Sequence, residues 1–280
     1  DGFRFDTGPS WYLMPEVFDH FFRLLGTSAQ EQLDLRVLDP AYRVFYEGAP
    51  GGPRPPHLDV VADTDTNVAT FEEVEEGAGS RLTAYLASAR QAYDVALRHF
   101  LYTSFSSPRA LATPEVVRLL PRLLPLLTRS LEAFVADRFG DRRLRQVLGY
   151  PAVFLGSSPD RTPSLYHLMS ALDLTGGVLY PQGGFTRLIE AVADLATDRG
   201  VRIRTGATVT GVTTEPAEGP GARRRRARVL GLRWRDAAGA EHHHGADVVV
   251  GAGDLHHLET RLLPERLRTY PQRYWDRQTS

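Results

Sequence analysis

The spacing of apolar residues changes along the chain, and this change limits the folds that the sequence can adopt. Over residues 80–149 the apolar residues recur with a period of about 3.6, which is typical of α-helices. After Gly177 the pattern becomes short alternating runs, which flank an amphipathic helix over 185–199. The valine-rich run at 246–253 is typical of a strand buried on both faces of a parallel sheet. The sequence therefore predicts an α/β protein with a helical insertion.

The most leucine-rich part of the chain, Ala110 to Phe139, leaves three interpretations open. A membrane span needs about 20 apolar residues with few charges, and Arg118, Arg122 and Arg129 interrupt this run, which disfavours a span. Apolar residues mixed with arginines suit a helix that lies in the headgroup region of a membrane. Packing in the core, with the helix kinked or broken at Pro121 and Pro125, explains the pattern as well. The leucines predicted to face the membrane are Leu119, Leu120, Leu123, Leu124 and Leu127.

The charge balance and the absence of two residue types exclude several classes of chemistry. Lys and Arg total 33 against 34 Asp and Glu, a formal net charge of −1, whereas proteins that bind nucleic acid through phosphate contacts carry a basic excess. Every basic residue other than histidine is arginine, so the chain offers no lysine for a Schiff base or a phosphate-binding loop. It contains no cysteine, which excludes disulfides, thiolate metal sites and cysteine nucleophiles.

Two polar clusters suggest binding sites by composition alone. The four arginines at 223–226 resemble a polyanion patch, but they lie in a Gly/Pro-rich stretch between strands, where a solvated turn is the better interpretation. The histidines at 242–244 lack a carboxylate cluster at ligand spacing, and successive side chains of a strand point to opposite faces. We therefore expect neither nucleic acid nor a metal as a partner. The segment at 251–256 lacks the last glycine of the dinucleotide motif GxGxxG.

Three short motifs occur in order along the chain. Gly-Phe-Arg-Phe-Asp-Thr-Gly-Pro-Ser at 2–10 precedes a helix start at Pro15. Tyr-Pro-Gln-Gly-Gly-Phe at 180–185 precedes a helix and the stretch 201–209. Asp-Val-Val-Val-Gly-Ala-Gly-Asp follows at 247–254. As an ordered set, these motifs resemble the FAD-dependent bacterial-type phytoene desaturases, a carotenoid branch of the flavin amine-oxidase superfamily.

The resemblance implies an incomplete FAD-binding domain of the Rossmann type, similar to that of glutathione reductase, with a substrate domain and the helical insertion. In that family the dinucleotide fingerprint precedes the first motif, so we expect this stretch by itself to bind FAD poorly. The predicted organisation is a strand of the FAD domain at 1–10, a substrate domain at 11–75, a helical, membrane-facing segment at 76–175, the FAD-binding domain at 176–262 and the start of a further substrate-domain segment at 263–280.

The resemblance also implies which residues contact FAD, namely Thr7, Gly8, Pro9, Ser10, Val209, Gly251 and Ala252. Glycine at position 8 lets the backbone come close to the flavin ring, and Val209 meets the adenine end through its main chain. Gly251 and Ala252 end the predicted parallel strand, where open α/β sheets bind ligands. Ala252 departs from the Asn that is common at this position in the family, which puts a side-chain hydrogen bond there in doubt.

The activity that the resemblance implies is the desaturation of a carotenoid, a phytoene-like polyene, with hydride transfer to the flavin. A hydrocarbon of this kind has a negligible aqueous concentration at ~0.8 kcal/mol per CH₂, so its supply must come from a bilayer. We therefore expect a peripheral membrane protein on the cytoplasmic side, with substrate entry through the segment 110–139. Candidate tunnel-wall residues are Tyr166, His167, Leu168 and Met169, which core packing explains equally well. His167 is a candidate base, but no catalytic residue is assigned.

Two groups of alternatives remain open at this stage. A flavin amine oxidase or another polyene oxidoreductase, such as a carotenoid isomerase or a retinoid saturase, would use the same cofactor. A prenyl-binding escort protein, similar to the GDP-dissociation inhibitors of the same superfamily, would carry out no redox chemistry. The sequence predicts no oligomeric state.

Overall fold

The structure is a computed structural model that describes residues 2, 5, 6, 8, 10–48, 51–103, 114–216 and 227–278. At residues 115–117, 120 and 122 it describes the backbone alone. The chain divides into two compact units, Asp1–Asp198 and Arg199–Ser280.

The first unit combines helices with two short antiparallel sheets. Its α-helices are α1 (Pro15–Leu24), α2 (Ala29–Gln32), α3 (Thr64–Val74), α4 (Ala78–Ala96), α5 (Pro114–Thr128), α6 (Leu131–Ala136), α7 (Arg142–Gly149), α8 (Ser170–Asp173) and α9 (Thr186–Asp198). Its strands are β1 (Leu35–Val37), β2 (Tyr42–Val44), β3 (Leu58–Val60) and β4 (Leu179–Pro181). A π-helical turn, Leu97–Leu101, continues α4, and 3₁₀-helices occupy Tyr150–Leu155 and Ser164–Met169. Strand β1 pairs with β4, and β2 pairs with β3.

Helices α1 and α9 confirm the local signals in the sequence. Pro15 is the first residue of α1, where its missing N–H removes no helical hydrogen bond. Gly26 follows that helix with φ +77°, a conformation that glycine adopts without strain. Helix α9 lies within the predicted range and ends before Gly200, whose φ is +84°.

The larger core of the first unit forms around α4. Leu82, Tyr85 and Leu86 recur at helical spacing on this helix and are buried. The side chains that enclose them come from β3, α3, α6, α7 and the connection between α6 and α7: Val60, Phe71, Leu131, Phe134, Phe139, Leu144 and Leu148. Each large apolar side chain buried in this way contributes roughly 1.5–3 kcal/mol to folding.

Helix α5 corrects the expectation that prolines break the leucine-rich run. It continues through Pro121 and Pro125, both of which lie on the exposed side, where water can satisfy the carbonyl groups that lose their N–H partners. The break falls instead at Ser130, whose hydroxyl caps α6 by accepting a hydrogen bond from the amide of Ala133. No helix in the described part of the chain is long and apolar enough to span a membrane.

The second unit is built on one antiparallel sheet in the order β5–β6–β7. Its elements are β5 (Thr208–Pro216), β6 (Ala227–Arg235), β7 (Glu241–Gly245), α10 (Leu255–His257) and α11 (Gln272–Trp275), with a π-helical turn at Leu258–Leu262 and a 3₁₀ turn at Glu265–Leu267. Strands β6 and β7 form a hairpin, and the carboxylate of Asp236 stabilises its turn by accepting hydrogen bonds from the amides of Ala238 and Ala240. The arginines at 223–226 lie outside the described residues.

The parallel strand that the sequence predicts at 246–253 is not found. Strand β7 ends at Gly245 and β5 begins only at Thr208, so the stretches 246–253 and 201–207 lie outside strands. Val250 was expected to be buried on both faces of a sheet and is 82% exposed. A strand exists only where a neighbour shares its backbone hydrogen bonds. Apart from the bond from the amide of Ala246 to the carbonyl of Leu230 at 3.0 Å, none of the described segments of this unit pairs with either stretch.

Asp173 is a carboxyl group buried in the first unit, at the end of α8. Its Oδ2 accepts a hydrogen bond from the hydroxyl of Tyr42 at 2.8 Å, and no described group bonds to its Oδ1. Burial raises the pKa of Asp173 to about 7, because the charged carboxylate loses its hydration, and the hydrogen bond from Tyr42 offsets only part of this effect.

We expect Asp173 to make the fold less stable as pH rises. In the unfolded chain this carboxyl titrates near its ordinary value of 3.8, so the native state holds the proton more tightly. The free energy of unfolding therefore falls between about pH 4 and pH 7 and is level above that range. At ~1.4 kcal/mol per pKa unit, the decrease is on the order of 4 kcal/mol. The variant Asp173→Asn keeps an acceptor for Tyr42 without the charge, and we expect it to flatten the profile.

Urea unfolding between pH 4 and pH 8 measures this profile. The matched control is Asp198→Asn, which removes an exposed carboxylate at the end of α9 and should leave the decline in place. A wild-type profile without the decline, or an equal decline in Asp173→Asn, would contradict the prediction.

Candidate functional site

The carboxylate of Asp6 joins the first two sequence motifs. Its Oδ1 accepts a hydrogen bond from the amide of Phe185 at 3.0 Å, and its Oδ2 accepts one from the hydroxyl of Tyr180 at 2.5 Å. Further along, the amide of Tyr12 donates to the carbonyl of Leu179 at 2.8 Å. The first motif therefore lies against β4 and the turn before α9. None of the described residues within 2–8 lies in the strand that the sequence predicts there.

Two consecutive glycines make this junction possible. Gly183 and Gly184 have φ values of +87° and +86°, which side chains of L-residues rarely adopt. A Cβ on Gly184 would lie 2.9 Å from Oδ1 of Asp6 and 3.4 Å from the hydroxyl of Tyr180. Gly184 is thus required both for the turn and for the space that the carboxylate occupies.

The position of Asp6 is also favourable electrostatically. Phe185 directly precedes α9, so Asp6 lies at the positive end of a helix of 13 residues. The carboxylate raises the pKa of Tyr180 above its ordinary value, because its hydrogen bond with the hydroxyl stabilises the protonated tyrosine. Tyr180 therefore stays a neutral hydrogen-bond donor at physiological pH.

The residues predicted to contact a cofactor in the first unit follow Asp6 directly. Gly8 and Ser10 are exposed, and among the described residues no atom lies within 4 Å of the position that a Cβ on Gly8 would take. The backbone at Gly8 is thus accessible to a flat group, as a glycine at this position suggests. Thr7 and Pro9 lie outside the described residues.

The remaining predicted cofactor residues belong to the second unit. Val209 is half-buried in β5, opposite Trp234 of β6. Gly251 and Ala252 are exposed before α10, and a Cβ on Gly251 would collide with the side chain of Leu258. The contacts predicted for these residues stay predictions.

The predicted tunnel-wall residues lie in the 3₁₀-helix Ser164–Met169. Tyr166, Leu168 and Met169 are half-buried. His167 is completely buried, and its ring nitrogens lie 2.8 Å from the carbonyl of Ser164 and 3.0 Å from the hydroxyl of Ser88. Burial lowers the pKa of His167, since a charged ring would lose its hydration. His167 exposes no surface in this structure, and the tunnel-wall role of these four residues stays a prediction.

A cavity of about 530 Å³ lies between α4 and α5. The wall from α5 is apolar and the wall from α4, with its π-helical extension, is mostly polar. The residues that line it are Ser88, Gln91, Ala92, Asp94, Val95, Arg98, His99, Leu119, Pro121, Leu123, Pro125 and Leu126.

The leucines predicted to face a membrane differ in their exposure. Leu124 and Leu127 are 57% and 48% exposed, whereas Leu123 is 8% exposed and lines the cavity. Leu123 is therefore covered by the cavity side of the fold, although Leu127, one turn later on α5, is exposed. Leu119 is half-buried and lines the cavity, and the side chain of Leu120 is outside the described residues.

The histidine run also has an ordinary structural role. His242 contacts the carboxylate of Asp236 through Nε2 at 2.9 Å and stacks on Trp234. In the described part of the chain, no three potential metal-ligating side chains come together.

Several residues of the site were missed by sequence reasoning. Asp6 and Tyr180 stand inside recognised motifs, and the adjacent glycines were the signal for a close approach of another group. Ser88 and Asp173 carry no local signal, because their partners lie 79 and 131 residues away in the chain.

Comparison with known proteins places these motifs in a family. A family model of flavin containing amine oxidoreductases matches residues 1–277. A carotenoid 3,4-desaturase of Haloarcula japonica is 36% identical over 279 residues, which cover 100% of this chain and 52% of that protein. A zeta-carotene-forming phytoene desaturase of Myxococcus xanthus is 30% identical, with 100% of this chain and 50% of that protein covered. A phytoene dehydrogenase of Streptomyces griseus is 36% identical, with coverages of 75% and 40%.

The chain thus spans about half the length of these curated relatives. Among solved structures, a redesigned putrescine oxidase gives a TM-score of 0.40 at 13% identity, covering 86% of this chain and 46% of that one. That likeness is too low to support an argument about the fold. The family match extends over nearly the whole chain, and it includes the two motifs that Asp6 joins. The chain belongs to the family of flavin containing amine oxidoreductases.

Proposed function

We propose that the protein is an FAD-dependent carotenoid desaturase, which removes two hydrogens from adjacent carbons of a phytoene-like polyene in carotenoid biosynthesis. The observation that carries this proposal is the similarity of the chain, over its full length, to proteins named as carotenoid and phytoene desaturases. The junction at Asp6 supports it, because it gives a structural reason for two motifs that the resemblance depends on.

The residues of the first unit fit a flavin. Gly8 offers an open backbone, and Ser10 beside it is exposed, which suits a cofactor held mainly through main-chain groups. Asp6 fixes this segment against β4 and the start of α9, so that the segment is positioned before a ligand arrives. The finer assignment, a Rossmann-type domain similar to that of glutathione reductase, belongs to this proposal.

A bound flavin would supply the hydride acceptor for the reaction. The task of the protein's own residues is to hold a hydrocarbon that offers no hydrogen bonds. Leu123 and Leu126 form an apolar wall of the cavity between α4 and α5, and such a wall excludes water and binds hydrocarbon by burial, at ~0.8 kcal/mol per CH₂. We propose this cavity as a receiving site for the polyene.

We further propose that the protein works as a peripheral membrane protein on the cytoplasmic side. Leu124 and Leu127, three residues apart on α5, both lie exposed and do not line the cavity. Exposed apolar side chains of this kind suit the boundary between headgroups and acyl chains. A polyene could then pass from the bilayer to the cavity along a single helix.

The first test is reconstitution of the purified full-length protein with phytoene in liposomes. We expect a yellow protein with bound FAD, together with polyenes of longer conjugation detected by their absorption spectra. Turnover of amines without conversion of phytoene would instead indicate an amine oxidase. A colourless protein that binds prenyl chains would indicate an escort protein.

We expect Gly184→Ala to weaken flavin binding by displacing Asp6. The matched control is Gly200→Ala, since Gly200 has a similar φ of +84° but no atom within 4 Å of a Cβ position. Both variants carry backbone strain of roughly 1–3 kcal/mol, and only Gly184→Ala also disturbs the carboxylate. Flavin absorbance per mole of full-length protein should fall about tenfold more in Gly184→Ala. Equal flavin content in the two variants would contradict the role of Asp6.

We expect the double variant Leu124→Asp/Leu127→Asp to lose its binding to liposomes while it retains bound flavin. Losing two leucine contacts with the bilayer, each worth roughly 1.5–3 kcal/mol when fully buried, should reduce membrane binding by at least about tenfold. Sedimentation with liposomes measures the effect. The control Leu24→Asp alters a leucine of α1 that is 72% exposed and should stay bound. Unchanged binding of the double variant would contradict the proposed membrane face.

A further inference from the structure

Ser88 forms an unusual hydrogen bond for a serine inside a helix. A helical Ser or Thr commonly bonds to the carbonyl four residues earlier, and Thr83 of the same helix does so with Gly79 at 3.1 Å. The hydroxyl of Ser88 lies instead 3.0 Å from Nε2 of His167. A tertiary contact therefore sets the orientation of this hydroxyl.

The partner of His167 on its other side fixes the direction of that hydrogen bond. The carbonyl of Ser164, 2.8 Å from Nδ1, can only accept, so Nδ1 carries the proton. In a neutral ring Nε2 is then the acceptor, and Ser88 must donate to it. The ring cannot readily turn over, because Tyr85 and Phe134 pack against it with centroid distances of 5.4 and 4.9 Å.

Because Ser88 donates its hydroxyl hydrogen to His167, its oxygen can only accept further hydrogen bonds. Ser88 is half-buried and lines the cavity between α4 and α5. The apolar wall opposite, which includes Leu123 and Leu126, offers no hydrogen bond, whereas Gln91, Arg98 and His99 lie on the same polar wall as Ser88. On this polar wall, Ser88 presents an acceptor whose orientation is fixed by His167.

We propose that this cavity binds the oxygen-bearing end of a polyene, and that Ser88 accepts a hydrogen bond from its hydroxyl group. The inference rests on the proposed function and narrows its substrate class. A pure hydrocarbon end would cover the polar wall formed by Ser88, Gln91 and Arg98 without forming hydrogen bonds to it, which is costly. His167 acts through Ser88 and is a positioning residue.

The experiment compares two polyenes that have the same length and conjugation and differ only by a hydroxyl group at one end. Equilibrium binding to the full-length, flavin-bound protein is followed by the shift in polyene absorption, and kcat and KM are measured beside it. We expect the wild-type protein to bind the hydroxylated polyene about 10- to 100-fold more tightly, the range expected for satisfying one buried polar group. We expect Ser88→Ala to lose this preference by weakening binding of the hydroxylated polyene alone.

Two further variants separate recognition from folding. Ser88→Thr keeps the hydroxyl and should retain the preference, and Thr83→Ala removes a hydroxyl of the same helix that bonds only to its own backbone. Equal binding of the two polyenes by the wild-type protein, or an equal loss for both in Ser88→Ala, would overturn the inference. A binding preference without desaturation would reject the proposed function alone, whereas desaturation without a preference would reject this inference alone.

Discussion

The carboxylate of Asp6 is the contact on which the arrangement of the candidate cofactor segment depends. It accepts hydrogen bonds from Tyr180 and from the amide of Phe185, and thereby holds the beginning of the chain against residues almost 180 positions later. A carboxylate with two donors at the start of a helix is a stable arrangement, because both the hydrogen bonds and the helix dipole favour its charge. The exposed backbone at Gly8 owes its position to this contact.

The sequence could predict the helices better than the sheets, and the reason is physical. A helix makes its hydrogen bonds within one segment, so the apolar spacing of α4 and the terminal signals of α1 and α9 were sufficient. A strand depends on a neighbouring strand, which the local sequence does not identify. Val250 has the composition of a buried strand but lies exposed without a partner among the described residues. The change of apolar spacing after Gly177 is what predicted the α/β class.

Within the candidate site, too, the sequence could predict some residues and not others. The glycines at 8, 183 and 184 could be recognised in the motifs, because positive φ values and close approaches of other groups favour glycine. The pairs Tyr42–Asp173 and Ser88–His167 could not be predicted in this way. Serine, tyrosine and aspartate occur in many structural contexts, and the partners are remote in the chain. Packing around α4 decides which of these groups are buried, and hence which are chemically distinctive.

Helix α5 connects the membrane proposal with the substrate proposal. Leu123 and Leu126 line the cavity, while Leu124 and Leu127 of the same helix are exposed. In these proposals, a hydrocarbon that leaves a bilayer against the exposed leucines would reach the cavity along one helix. The cost of exposing each CH₂ to water, ~0.8 kcal/mol, makes such a path far more favourable than release into solution. The wall from α4, where Ser88 is fixed as an acceptor, would then select the end of the polyene that is bound there.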